Sequence, residues 1–97
     1  MSEKVSVIIP VHNRENLIQR ALNSILQQNT LPYELIVVDN ASTDNTYDVV
    51  KRWMETTADS GIRYKLLRQP QKGACIARQY GFINSEGDYI LFFDSDD

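Results

Sequence analysis

Three carboxylates crowd the last four residues of the chain, Asp94-Ser95-Asp96-Asp97, directly behind the apolar run Tyr89-Ile90-Leu91-Phe92-Phe93. Carboxylate oxygens are hard ligands, and magnesium typically takes one or two of them together with phosphate oxygens. Packed at the mouth of a buried strand, such groups are unfavourable unless a cation or hydrogen-bond donors compensate them. The spacing points to a metal–phosphate site, with a polar turn rich in Asp and Ser as the plainer alternative. A further carboxylate, Asp39, follows the run Leu35-Ile36-Val37-Val38 and can accept two N–H donors from a base or two hydroxyls from a ribose. A third polar segment, Pro10-Val11-His12-Asn13-Arg14, follows Val5-Ser6-Val7-Ile8-Ile9. Lys72, Arg78 and Arg14 can offset phosphate charge. Plainer readings stand beside these: Asp39 and Asn40 as turn and cap residues, and Lys72 and Arg78 as solvated charges. His12 reads as a neutral loop histidine and is not taken as a catalytic base. Cys75 reads as a small packed helix residue.

The elements that must position these groups alternate in type. Val5–Ile9 and Leu35–Val38 are short, β-branched and apolar, the pattern of strands buried on both faces of a parallel sheet. Tyr89–Phe93 has the same uninterrupted apolar pattern and is expected to be buried on both faces as well. Pro10 is expected to end the first strand, and Asn13 to cap the helix that follows. Leu17, Ile18, Ala21, Leu22, Ile25 and Leu26 share one face of that helix, and Pro32 lies beyond its end. Tyr47, Val50 and Met54, flanked by Val49 and Trp53, give a second helix its apolar face, with Ser42 or Thr43 as its expected cap. Arg63, Lys65 and Arg68 interrupt the run 62–68, which suits an edge strand. Ala74, Ala77, Tyr80 and Phe82-Ile83 indicate a third helix. Gly81 within it costs roughly 1 kcal/mol against Ala, so a close approach is expected there. The order βαβαβαβ predicts an α/β fold: a three-layer, mostly parallel four-stranded, Rossmann-like sheet with right-handed crossovers. If the first strand lies between the second and the fourth, the three polar loops line one crevice.

The 97 residues suffice for one domain at most. A net charge of −3 argues against a nucleic-acid partner, which needs a basic face. A single cysteine forms no internal disulfide. No apolar run approaches the roughly 20 residues that cross a bilayer, and no signal-peptide pattern precedes Val5. A cytoplasmic location is expected, with any membrane association lying in parts outside this chain. The patterns G-x-x-x-x-G-K-[ST] and G-x-G-x-x-G are absent, which disfavours an ordinary nucleotide triphosphatase or dinucleotide-binding dehydrogenase.

Four segments, in order, resemble family 2 glycosyltransferases. Val5-Ser6-Val7-Ile8-Ile9-Pro10-Val11-His12-Asn13-Arg14 is similar to that family's opening strand and its Pro-x-Tyr-Asn loop. Leu35-Ile36-Val37-Val38-Asp39-Asn40-Ala41-Ser42-Thr43-Asp44 is similar to its Val-Asp-Asp/Asn-Gly-Ser-Thr-Asp segment. Lys72-Gly73-Ala74-Cys75-Ile76-Ala77-Arg78-Gln79-Tyr80-Gly81 resembles its Gly-x-x-x-Ala-Arg-Asn-x-Gly helix. Gly87 to Asp97 resembles its strand ending in Asp-x-Asp. The departures are His12 for Tyr, Gln79 for Asn and Ala41 for Gly, the last at a turn where Gly would take positive φ freely.

The resemblance implies a GT-A fold, a nucleotide-diphosphate sugar donor (a UDP-sugar foremost), and a divalent metal, Mn2+ or Mg2+. By position it implies that Asp39 binds the nucleobase, framed by Pro10, Val11, His12 and Arg14. Asp94 falls near the ribose and the metal and Asp96 to the metal, and Lys72, Arg78, Asp94 and Ser95 complete the expected nucleotide-sugar-binding set. It further implies sugar transfer with inversion to a saccharide or other hydroxyl acceptor. Inversion needs a base, and that base is expected beyond Asp97. Residues 1–97 then read as the donor-binding part of a longer domain cut after Asp-x-Asp, inactive alone. The unpartnered edge of the last strand is expected to favour dimerisation. The alternatives are a non-catalytic nucleotide- or metal-binding α/β module and a structural domain without a ligand.

Overall fold

A computed structural model describes residues 3–93. Four strands, β1 (Val5–Val11), β2 (Glu34–Asn40), β3 (Arg63–Gln69) and β4 (Tyr89–Phe92), form one sheet in the order β3-β2-β1-β4. Every pairing is parallel. Helices α1 (Ile18–Leu26), α2 (Thr46–Thr56) and α3 (Ala74–Ile83) alternate with the strands. The chain steps from β1 outward to β2 and β3, then returns past both to β4. With right-handed crossovers, a reversed step must carry its helix on the opposite face. Accordingly α1 and α2 bury Ile18, Leu22, Ile25, Val50, Trp53 and Met54 against Val7, Ile9, Val11, Leu35 and Val37 on one face. Helix α3 places Ala77 against Ile8, Ile36 and Val38 on the other. The reversal makes a crevice at the carboxyl ends of β1 and β4, where ligands bind in open sheets of this kind.

Local details depart from the sequence expectations in instructive ways. Strand β1 does not stop at Pro10 but runs to Val11, with Pro10 opposite Val38. The Phe93 N–H donates to the Ile8 carbonyl, so even-numbered β1 residues hydrogen-bond toward β4. The N–H that Pro10 lacks would fall on that side, past the last β1–β4 pair at Ile8 and Phe92, where a ladder donor is not needed. Strand β2 likewise extends through Asp39 and Asn40, which pair with Arg68 and Gln69. β3 lies at a sheet edge, as its charges suggested. Strand β4 is not buried on both faces: Tyr89, Leu91 and Phe92 are 54%, 54% and 48% exposed. It is the opposite edge strand, and α1 and α2 pack over β1 to β3.

Gly81 meets its expectation of close approach. A Cβ there would sit 2.6 Å from Ile8 Cγ2 and 3.2 Å from Val38 Cγ2, so only a hydrogen lets α3 lie this close to the central strands. At the amino-terminal end of the sheet, the Glu34 carboxylate is fully buried. Its Oε2 accepts from the Ser6 hydroxyl at 2.6 Å and from the Glu86 amide, and Lys65 Nζ lies 3.4 Å from its Oε1. Lys65 also bonds Glu86 at 2.8 Å and the Asn84 carbonyl at 2.5 Å. Burial alone would raise the Glu34 pKa, but the Ser6 and Glu86 hydrogen bonds and the Lys65 charge overcome it and hold the group below its ordinary value.

Candidate functional site

At the carboxyl edge of the sheet, the β1–α1 and β2–α2 loops are sewn together by side chains. Asn13 takes a left-handed conformation, φ 51, which its short polar side chain tolerates. It is not the cap of α1. Its Oδ1 instead accepts from the Thr43 amide at 2.7 Å and the Asp44 amide at 3.4 Å, while its own N–H donates to Ser42 Oγ at 2.9 Å. The Arg14 amide donates to Thr46 Oγ1 at 2.9 Å, and the Glu15 amide to Asp44 Oδ2 at 3.4 Å. Ser42 and Thr43 therefore do not cap α2. The Asp44 carboxylate receives the Thr46 N–H at 3.0 Å. Burial works to raise the Asp44 pKa, but the Thr46 hydroxyl and amide and the Glu15 amide lower it overall. Ala41 sits at φ 59, the conformation that a Gly would take without strain.

His12 and Asn40 join these loops to a third. The Asn40 carbonyl can only accept, so His12 Nδ1 carries a proton and donates to it at 2.7 Å. Its Nε2 is then free to accept from Asn13 Nδ2 at 3.3 Å in the neutral ring. Asn40 proves to be neither turn nor cap. Its side chain donates to the carbonyls of Gln69 and Gln71 and accepts from the Gly73 amide, which ties the β3–α3 loop to β2.

A cleft of about 440 Å³ opens between these loops. Strand β1 and its loop contribute Pro10, Val11, His12 and Arg14, β2 contributes Asn40, and β4 with the residue after it contributes Phe92 and Phe93. From the third loop and α3 come Lys72, Gly73, Ala74 and Arg78. Six sequence-derived candidates thus meet in one cavity: Pro10, Val11, His12, Arg14, Lys72 and Arg78. The cleft carries three cations. The Arg14 Nη1 also donates to the carbonyls of His12 and Asn13, which holds its guanidinium against its own loop. Cys75 is exposed rather than packed.

Asp39 is not part of this cavity. Alternation along β2 sends it to the face opposite Asn40, where it lines a smaller cleft of about 250 Å³ with Ala41, Ser42, Arg68, Gln69 and Pro70. It is 5% exposed, and its Oδ1 has no hydrogen-bond partner among the described residues. A buried acceptor without a donor is unfavourable in a finished site. Asp94, Ser95, Asp96 and Asp97 lie outside the described residues, and among the described residues no group of three His, Cys, Asp or Glu side chains converges. The fit of a metal therefore rests on the donor chemistry of Asp94, the residue next to the cleft-lining Phe93 in sequence, and of Asp96 two residues on. Sequence reasoning missed Asn40, Gly73, Ala74, Phe92 and Phe93 as walls. The β4 pair was legible only as an apolar run, and Asn40 only as a turn residue.

Residues 6–97 match the family model described as Glycosyl transferase family 2. The chain belongs to that family. It is 37% identical over its whole length to the glycosyltransferase GlyA of Streptococcus pneumoniae, of which it spans 13%. It is 35% identical over 98% of its length to the poly(ribitol-phosphate) beta-N-acetylglucosaminyltransferase TarP of Staphylococcus aureus, of which it spans 29%. Among solved structures it resembles the mannosyltransferase PcManGT of Pyrobaculum calidifontis in complex with GDP-Man and Mn2+. There the TM-score is 0.89 and the identity 32%, over 99% of this chain and 28% of that one. It also resembles S. aureus TarS in complex with UDP, with a TM-score of 0.81 and 34% identity, over 96% of this chain and 27% of that one. These neighbours are GT-A enzymes, and the family 2 chain reproduces the amino-terminal part of that fold. It spans less than a third of each of these four relatives.

Proposed function

We propose that this family 2 chain forms the donor-binding part of a glycosyltransferase that takes a nucleotide-diphosphate sugar, a UDP-sugar foremost, and passes the sugar to a hydroxyl acceptor with inversion. The observation that carries the reading is the cleft itself: Arg14, Lys72 and Arg78 gather at the switch point of the sheet, while on the other face of β2 a buried Asp39 oxygen has no donor among the described residues. Asp39 receives an N–H of the base, with the 10–14 loop beside it. Lys72 and Arg78 face the diphosphate, whose charge such cations bind well. Asp94 and Ser95 serve the ribose and donor, and Asp94 and Asp96 hold Mn2+ or Mg2+. Once bound, the metal supplies Lewis-acid stabilisation of the departing diphosphate. Relatives captured with GDP-Man and Mn2+ or with UDP support this assignment. The chain spans less than a third of the relatives it matches, and we assign the general base and the acceptor groove to parts of the fold outside the matched stretch.

Calorimetric titration of UDP and GDP, each with and without Mn2+, tests the reading. Binding that strengthens with Mn2+ is expected, and Asp96→Ala should abolish that gain. Asp39→Ala should weaken nucleotide binding by roughly ten- to hundredfold, the worth of a hydrogen bond to a charged group. Metal-independent binding that tolerates both substitutions would instead favour a plain nucleotide-binding module.

A further inference from the structure

We propose that Asn40 is a positioning residue for the diphosphate end of the cleft, acting through Lys72 rather than on the ligand. The inference rests on the nucleotide-donor reading above. Lys72 stands on the short segment between the end of β3 at Gln69 and the start of α3 at Ala74. A loop of this kind has few ways to fix its backbone. Here one nearly buried side chain makes three hydrogen bonds to it. Asn40 Oδ1 accepts from the Gly73 amide at 2.9 Å, and Nδ2 donates to the carbonyls of Gln69 at 3.1 Å and Gln71 at 2.7 Å. These bonds bracket Lys72 on both sides.

The arrangement also selects its residue. Two carbonyls require two donors and one amide requires an acceptor, which a carboxamide offers and neither a carboxylate nor a hydroxyl does. The amide orientation is fixed by the same count, since the flipped form would set oxygen against both carbonyls. Gly73 takes φ 143, a backbone state that side-chain-bearing residues rarely adopt, and its N–H is spent on Asn40. The Asn40 backbone carbonyl meanwhile accepts from His12. One residue thus sets both walls of the cleft, the His12 side and the Lys72 side. A cation on a flexible stem contributes most to binding when its backbone is already placed.

A double-mutant cycle on nucleotide affinity tests this, with UDP and GDP plus Mn2+ as probes. Lys72→Ala in the wild-type background should weaken binding about ten- to hundredfold. In an Asn40→Ala background the same change should cost no more than about threefold, because the lysine is no longer held. Arg78→Ala, on α3 outside the loop, should cost the same in both backgrounds. Equal losses for Lys72→Ala in both backgrounds would overturn the proposal, as would Arg78→Ala losing its effect alongside Lys72→Ala, which marks general loosening. A measurement without variants adds a second check: the Gly73 amide should exchange slowly with solvent in the wild-type protein, and exchange as fast as an unstructured peptide would also overturn the proposal. If the wild-type protein binds neither nucleotide, the donor-site reading itself falls and takes this inference with it.

Discussion

Replacing Gly81 with Ala tests the packing of α3 on the sheet, and the contact distances set its size. The added methyl would arrive 2.6 Å from Ile8 Cγ2 and 3.2 Å from Val38 Cγ2. Both residues are fully buried on the two central strands, and both atoms are branches next to the backbone rather than ends of flexible chains. Neither can step aside, so α3 must lift by the better part of an ångström. Overpacking of this kind costs about 1–3 kcal/mol. Against it, Ala is the better helix former by about 1 kcal/mol. The deeper clash places the balance at a net loss of roughly 1–2 kcal/mol. For a domain of this size that is a fall in melting temperature of about 4–15 °C. Urea unfolding followed by circular dichroism measures it, with Gln79→Ala on the exposed side of α3 as the control. Because α3 carries Arg78 into the cleft, nucleotide affinity should fall with stability. A Gly81→Ala protein as stable as wild type, or more stable, would show that helix propensity outweighs the contact and that the reasoning fails.

Other expectations are shorter to state. Glu34→Ala strips the Ser6 hydroxyl, the Glu86 amide and Lys65 of a buried acceptor and should lower unfolding stability by about 3 kcal/mol in urea melts. With a folded pKa below the ordinary 4.5, Glu34 contributes stability that is present above pH 4.5 and lost as pH falls through the folded value. Lys65, its pKa raised by its hydrogen bond to Glu86 and by the Glu34 charge, does the converse, losing its contribution as pH rises past 10.5 through its folded value. Urea midpoints recorded against pH should show the acid loss flatten in Glu34→Gln. Ala41→Gly relieves a left-handed alanine and should add about 0.5 kcal/mol, the strain relieved less the extra freedom of the unfolded glycine. Residues 1–97 alone should transfer no sugar, and radiolabelled product from them would refute the proposal that the base lies outside this stretch. Its exposed β4 edge should drive self-association, so a single monomeric species in light scattering at high concentration would count against that surface being sticky.

What could be read from residues alone was whatever local pattern decides. β-branched runs marked β1 and β2, the charges Arg63, Lys65 and Arg68 marked an edge strand, and a lone Gly81 in a helical pattern marked a close approach. What escaped was set by partners distant in sequence. Asn13, Asn40 and Asp44 have the side chains of turns and caps, and a sequence reader finds the same oxygens and amides whichever backbone they serve. Here Asn13 is drawn across the edge of the sheet to residues 43 and 44 and Asn40 to residues 69–73, while Asp44 serves both its own turn at Thr46 and the Glu15 amide. The mistake at β4 was of another kind. Its apolar run records what the strand is fit to bury, and the helices that would cover it stand over its neighbours. The separation of Asp39 from Arg14, Lys72 and Arg78 follows from β2 continuing two residues further than its apolar stretch, which alternation along the strand then sends to opposite faces.

The strand order bears on how the chain reaches this state. Strand β1 is made first yet ends in the middle of the sheet. Ser6 meets Glu34 across 28 residues, but Lys4 meets Asp88 across 84. During synthesis β1, β2 and β3 can assemble with α1 and α2 while one flank of β1 still shows Ser6, Ile8 and their open backbone groups. Loop closure over the longer distance is slower and entropically dearer. The Gly87 amide donating to Ser6 Oγ and the Glu86 amide donating to Glu34 act as the latch when β4 arrives. Until then the nascent half-sheet has an unguarded side, and the cleft that needs β4 as a wall does not yet exist.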